Sequence, residues 1–265
     1  MNGVIRENCV IPVDMGYLYG YGIFETIKVM EKKMIFYNEH MHRLKESAGK
    51  VHIDWDEENS KIEEECYNVL KKNKLSDGAV RVTIGKSSTG HNLVISCRES
   101  SYFPEKYARG FNLTISPYHR NEHALLVSIK SNNYLENLLI LEEARRQGFG
   151  EAIFFNSKGY LAEGTMSNIF FVEGKCLYTP AEDCGILGGI VRNKIIKILI
   201  ELKVPFEEGY YTRVKLMRAD EVFICNSLMD MMPVNRIDAT KYKLGNNTLT
   251  NQLTRKYKET YYGRM

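Results

Sequence analysis

A chain of 265 residues, 44% hydrophobic and 26% charged, can bury one large core or two modest ones, which excludes a disordered or peptide-like protein. Its 36 basic and 33 acidic residues leave a net charge of +3, too balanced for a nucleic-acid surface, which needs clustered cations. The six cysteines (Cys9, Cys66, Cys97, Cys176, Cys184, Cys225) form no C-x-x-C pair, the opening MNGVIRENCVIPVD lacks a basic stretch ahead of an apolar one, and no apolar run reaches the roughly 18 residues of a membrane span. A compact cytoplasmic protein with buried free thiols, and with neither membrane nor nucleic-acid partner, is the expectation.

In chain order, GIFETIKVMEKKMIFY reads as two short strands around a polar turn at Glu31 to Lys33. Helical spacing follows at Met41, Leu44 and Ala48 within 38–50, and again at Ile62, Cys66, Val69 and Leu70 within 56–72. GAVRVTIG and HNLVISCR then pair around KSSTG, and FNLTISPY supplies another strand. The polar HRNEHA at 119–124 reads as an interdomain connection, dividing the chain into an N-terminal α/β domain (1–118) and a C-terminal one (125–265). In the latter, LLVSIK is expected as a strand, YLENLLILEEARRQG as a helix stopped by Gly148, and EAIFFNSKGYLAEG and SNIFFVEGKCLYTP as hairpin-like strands turning at Lys158-Gly159 and Glu173-Gly174. GILGGIVRNKIIKILIEL is a glycine-rich loop running into an amphipathic helix, and EVFICNS belongs to a last α/β unit. There is no internal repeat. The pattern is α/β, of the α+β kind in its first half.

Lys130 stands at the end of the apolar run LLVSI, where partial desolvation would lower its pKa and free its amine to form an imine. By itself it reads first as an ordinary solvated lysine at a strand end, since most lysines are exposed. Glu163, in EGTMSNIFFV, could pair with a protonated pyridine nitrogen, or cap a turn. The loop 185–192 could turn backbone N–H groups of Gly189 to Val191 toward a phosphate at the start of the following helix. It carries neither a Walker loop nor a G-x-G-x-x-G fingerprint. Arg43 could grip phosphate bidentately, and Ser227, after the strand EVFICN, could donate its hydroxyl there; a solvated helix face and a strand-end cap are the plain alternatives. His40 and His42, two apart on a helix, point to different faces and make no metal site. No G-x-S-x-G elbow surrounds any serine.

Taken in order, LYGYGIFETIK (18–28), EHMHRLKESA (39–48), IKSNNYLENLL (129–139), EGTMSNIFFV (163–172), GILGGIVR (185–192) and ICNSLMDMMPV (224–234) resemble the fold-type IV pyridoxal-phosphate enzymes of the class IV aminotransferase family. The resemblance implies a two-domain, D-amino-acid-aminotransferase-like fold with pyridoxal 5'-phosphate at the domain interface, in a homodimer. It also implies Lys130 as the Schiff-base lysine, Glu163 as partner of the pyridine nitrogen, and Arg43, Ile190, Val191 and Ser227 as phosphate contacts. Leu187 would pack on the ring and Tyr134 would support the phenolic oxygen. Val191 replaces a threonine common in the family, which matters little where only its N–H is used. The segment ICNSLMDMMPV, with Asn226, Ser227 and Leu228 where branched-chain aminotransferases carry Gly-Thr-Ala, is similar to the aminodeoxychorismate lyases. The implied reaction is cleavage of 4-amino-4-deoxychorismate to 4-aminobenzoate and pyruvate, feeding folate synthesis. The alternatives are an aminotransferase acting on D-amino or branched-chain amino acids, and a non-catalytic dimeric binding module.

Overall fold

The structure, a computed structural model, describes residues 12–263. Cys9 and most of the opening segment lie outside the described residues. Two compact units are present: one runs to Ser101 and includes Ile129–Tyr134, and the other comprises Tyr102–Ser128 and the chain from Leu135 onward.

In the first unit a short helix α1 (Met15–Tyr19) is capped by Asp14, whose carboxylate accepts the Gly16 N–H at 3.0 Å. Strands β1 (Gly22–Met30) and β2 (Lys33–Met34) follow, then helices α2 (Tyr37–Lys50) and α3 (Asn59–Lys72), then strands β3 (Gly78–Ser87) and β4 (Gly90–Glu99). The sheet is antiparallel in the order β2-β1-β3-β4. The polar turn expected between the first two strands is a tight one: Met30 pairs with Lys33, and Glu31 and Lys32 between them both have positive φ, 48° and 64°. Met41 and Leu44 of α2 and Ile62 and Cys66 of α3 are buried with Ile23, Ile27, Val80, Val82 and Ile84 of the sheet. Helix α3 starts at Asn59 and not at Asp56, because Ile53 and Trp55 bury on alternate positions and hold 53–58 out of the helix.

The second unit contains α4 (Pro104–Arg109), β5 (Phe111–Ile115), α5 (Leu135–Arg146), β6 (Glu151–Phe155), β7 (Leu161–Gly164), β8 (Asn168–Glu173), β9 (Cys176–Pro180) and α6 (Ile190–Glu201). It continues through β10 (Phe206–Gly209), α7 (Arg213–Met217), β11 (Glu221–Asn226), β12 (Asp230–Ile237), β13 (Thr240–Lys241) and α8 (Leu249–Tyr262). Its sheet has the order β10-β9-β8-β11-β12-β5-β6-β7, with β13 on β12. The pairs β9/β10, β5/β12 and β5/β6 are parallel and the rest antiparallel. Strands β6, β8 and β11 are buried on both faces, which is why EAIFF, NIFFV and EVFIC read as continuous apolar runs without alternation.

Two expectations differ from what is found. LLVSIK is not a strand: residues 125–128 form turns, and only Ser131 makes an isolated bridge, to Ile23 of β1. Only the end of this stretch meets a strand, where the Lys130 carbonyl accepts the Phe24 N–H of β1. The chain crosses between units at 101/102, 128/129 and 134/135, so residues 119–124 fall inside the second unit and Lys130 inside the first. The polarity of HRNEHA marks an anchored turn: the Arg120 N–H donates to the Phe155 carbonyl at 2.9 Å, and His119 Nδ1 lies 3.0 Å from the Asn156 carbonyl oxygen.

Candidate active site

Of the expected site residues, Arg43, Lys130 and Tyr134 lie in the first unit, and Glu163, Leu187, Ile190, Val191 and Ser227 in the second. Lys130 is half-buried on a segment laid along β1, where its carbonyl accepts the Phe24 N–H at 2.9 Å and the Asn132 N–H donates to the Gly22 carbonyl at 2.8 Å. Backbone pairing thus fixes the base of a flexible side chain. The Lys130 Nζ sits 4.7 Å from the centre of the Phe24 ring and 5.2 Å from that of Tyr134, and the two rings meet edge to face at 5.4 Å. Aromatic surroundings exclude water from the amine while their faces attract its charged form. Phe24 also carries the Arg81 guanidinium carbon 3.5 Å from its ring centre, and burial draws the Arg81 pKa down. Neither Phe24 nor Arg81 stood out in the sequence, since an apolar strand residue and an arginine within a strand have ordinary explanations.

Arg43, on α2, is clamped by Glu25 of β1, its Nε and Nη2 donating to the two carboxylate oxygens at 2.7 and 2.8 Å. His40, one turn earlier, places Nδ1 2.7 Å from Glu25 Oε2 and is fully buried. Burial raises the Glu25 pKa, but Arg43 and then His40 outweigh it and hold the carboxyl at about 2. Burial pulls His40 down despite Glu25, so the neutral ring donates its Nδ1 proton. His42 is exposed beside Glu46, in keeping with the different faces expected of the two histidines. Glu25 is a further residue the sequence reading passed over, because nothing in FETIK distinguishes an inward glutamate from an outward one.

In the second unit Glu163 is 8% exposed on β7, and its Oε2 accepts the Leu187 N–H at 3.0 Å and the Asn168 amide at 3.3 Å. Asn168 also donates to the Leu187 carbonyl at 2.9 Å, locking the loop before α6 to the glutamate. Gly189 is the N-cap of α6 and offers no capping side chain; a Cβ there would lie 1.9 Å from Asn168 Oδ1. A side chain at this position would have to displace Asn168. Ile190 and Val191 open the helix, where the first-turn N–H groups have no acceptor within the helix, a ready anion site.

Ser227 is half-buried on the turn between β11 and β12. Asn226 shapes that turn by accepting the Leu228 and Met229 N–H groups at 3.0 and 2.9 Å, and donates to the Met166 carbonyl at 3.1 Å. The turn that follows Glu163 is organised in turn by buried Glu151. Its carboxylate accepts the N–H groups of Ala152 and Thr165, both at 3.1 Å, and of Met166 at 3.3 Å, together with the hydroxyls of Thr165 and Ser167. Burial pushes the Glu151 pKa up, with the Thr165 hydroxyl the largest opposing influence.

The family model for amino-transferase class IV matches residues 22–237. The chain belongs to the class IV aminotransferase family. It is a pyridoxal-phosphate-dependent enzyme by that membership. Over 264 residues it is 29% identical to aminodeoxychorismate lyase of Bacillus subtilis (strain 168), covering 96% of this chain and 90% of that one. It is 30% identical over 243 residues to D-alanine aminotransferase of Bacillus licheniformis, covering 88% and 85%. The crystal structure of Escherichia coli branched-chain amino acid aminotransferase superposes with a TM-score of 0.87 at 26% identity, covering 96% of this chain and 90% of that one. The residues present suit the cofactor on their own chemistry: a shielded lysine, a buried and anchored carboxylate, a clamped arginine and a helix start without a capping side chain.

Proposed function

We propose that this class IV enzyme is a 4-amino-4-deoxychorismate lyase, releasing 4-aminobenzoate and pyruvate. The observation that carries the reading is the near full-length relationship to the Bacillus subtilis lyase, together with the Asn226-Ser227-Leu228 turn. Within it, Lys130 would hold the cofactor through its amine and carry the substrate proton, and Phe24 and Tyr134, 4.7 and 5.2 Å from Nζ, would limit the access of bulk water to that amine. Glu163 faces the ring nitrogen, with its position set by Leu187 and Asn168. Arg43, aimed by Glu25, the first N–H groups of α6 at Ile190 and Val191, and the Ser227 hydroxyl hold the phosphate. Leu187 packs against the ring and Tyr134 supports its phenolic oxygen. When bound, pyridoxal phosphate supplies an electron sink for the substrate carbanion. In the proposed cleavage the ring would give up its C–H proton to Lys130 and its C–O bond would break with the electron pair leaving on enolpyruvate, which takes up a proton to become pyruvate, while aromatisation of the ring supplies the driving force.

The homodimer expected of this family is supported by the exposure of Leu135, Leu138 and Leu139 along α5. Product formation in the cytoplasm, for folate synthesis, completes the proposal. No helix among the described residues is long and apolar enough to cross a membrane.

The test is product analysis. Purified protein loaded with pyridoxal phosphate is given 4-amino-4-deoxychorismate, and in separate reactions D-alanine or leucine with 2-oxoglutarate. Release of 4-aminobenzoate and pyruvate is expected, with loss of both activity and the cofactor's imine absorbance in Lys130→Ala. Turnover of the amino acids alone would reject the lyase and establish the aminotransferase reading, which the Bacillus licheniformis relative favours. A protein that neither binds the cofactor nor turns over any of the three would leave the binding module standing.

A further inference from the structure

The second carboxylate oxygen of Glu163 has a charged neighbour in the polar segment 119–124. Arg120 Nη2 lies 3.8 Å from Glu163 Oε1, within ion-pair range but beyond a hydrogen bond. Arg120 is 9% exposed, and its guanidinium carbon sits 3.9 Å from the centre of the fully buried Phe154 ring. Its Nη1 donates to Asn137 Oδ1 and Glu136 Oε2, both at 3.2 Å, while Nε and Nη2 are buried without a hydrogen-bond acceptor. Asn137 in turn donates to the Thr165 carbonyl at 2.6 Å, in the turn that follows Glu163. The carboxylates paired with Arg120 are thus Glu136 of α5 and Glu163 of β7.

A buried guanidinium with two donor nitrogens left without acceptors is costly. Packing on Phe154 does not require a cation, since an apolar chain of similar length would cover the same ring. What only the cation supplies is a fixed positive charge beside Glu163, held in place by an asparagine that also grips the Glu163 turn.

We propose that Arg120 is a positioning residue that acts through Glu163: its charge keeps that carboxylate ionised and limits how strongly Glu163 draws the proton of the cofactor's ring nitrogen. The inference rests on the reading of Glu163 as the ring-nitrogen partner. Removing the cation makes Glu163 more basic, shifts the shared proton from the ring toward the carboxylate, and so makes the ring less electron-withdrawing. The imine nitrogen on Lys130 then holds its proton to higher pH.

The experiment is a pH titration of the bound cofactor's absorbance in the holoenzyme, which reports the imine proton independently of turnover. Arg120→Met is expected to raise the midpoint by about one pH unit, a tenfold change in proton affinity, and Arg120→Lys to restore most of the wild-type value. In a Glu163→Gln background, Arg120→Met is expected to add no further shift. Should Arg120→Met fail to accumulate as folded protein, Arg120→Gln, which keeps a donor for Asn137 and drops the charge, is read in the same way. A folded, cofactor-binding variant without the charge whose midpoint matches wild type, while Glu163→Gln moves it, overturns the role of Arg120 alone. A midpoint unmoved by Glu163→Gln overturns the Glu163 assignment, and the role of Arg120 with it.

Discussion

Glu25 shows how a single buried carboxylate can fix the direction of a neighbouring cation. It is 1% exposed and grips Arg43 with both oxygens while accepting from His40, so the arginine's direction is set by the fold itself. Its folded pKa, about 2, lies below the ordinary glutamate value, so the stability it contributes is present above roughly pH 4.3 and is lost as pH falls toward about 2. Glu25→Gln should cost roughly 3 kcal/mol at pH 7, where the ionised carboxylate that grips Arg43 is lost, and about half that at pH 3, which lies between the folded and unfolded pKa values. Urea titrations at both pH values decide this; equal losses would show that the ionised state does not matter. Glu151 is organised differently, as an internal acceptor for five donors, the Ala152 N–H and four in the turn 165–167. Truncation to alanine removes the acceptor shared by these donors, of which the Thr165 N–H also donates to the Ala152 carbonyl, and should destabilise the fold by about 3 kcal/mol in chemical denaturation. A change below about 0.5 kcal/mol, the range of a surface substitution, would show that the network is dispensable.

At the scale of elements, the start of α6 is shaped by what Gly189 lacks. Asn168 fills the space a Cβ would take, and the same asparagine ties Glu163 to Leu187. Gly189→Ala must therefore displace Asn168, and the expected result is at least tenfold weaker binding of pyridoxal phosphate, seen by equilibrium titration, with a smaller effect on global stability. Unchanged affinity would mean that the loop and α6 are not coupled through Asn168. The far end of the chain bears on the Ser227 turn in a similar way: Tyr262, at the end of α8, donates its hydroxyl to buried Asp230, which closes that turn with a φ of 55°. Tyr262→Phe should lower stability by roughly 1–2 kcal/mol, read as a lower denaturation midpoint at unchanged slope. No loss would show that the contact adds nothing to the fold.

At the scale of the whole molecule, α5 leaves Leu135, Leu138 and Leu139 at 67%, 44% and 56% exposure, on a helix whose other face buries Ile140, Leu141 and Ala144. Apolar surface of that kind is expected to be covered in a homodimer. Replacing Leu138 and Leu139 together by glutamate should shift wild-type dimer toward monomer in sedimentation velocity at micromolar concentration. A wild-type protein that sediments as a monomer across that range would remove the dimer from the proposed function.

The sequence by itself determined the family and many, though not all, of the elements. Helical spacing, tight turns at Glu31-Lys32 and Gly159, and continuous apolar runs for strands buried on both faces are local signals, and the ordered blocks around Lys130, Glu163 and 185–192 survive in one dimension. Tertiary structure decided the rest. It laid Lys130 along β1 where the run LLVSIK had suggested a strand of its own, and it turned the polar segment at 119–124 into an anchor for Arg120. It also aimed Glu25 and Glu151 inward. The reason is the same each time: whether a charged side chain is a solvated surface group or the fixed partner of a functional one depends on neighbours far away in sequence, and composition or periodicity carries no record of them.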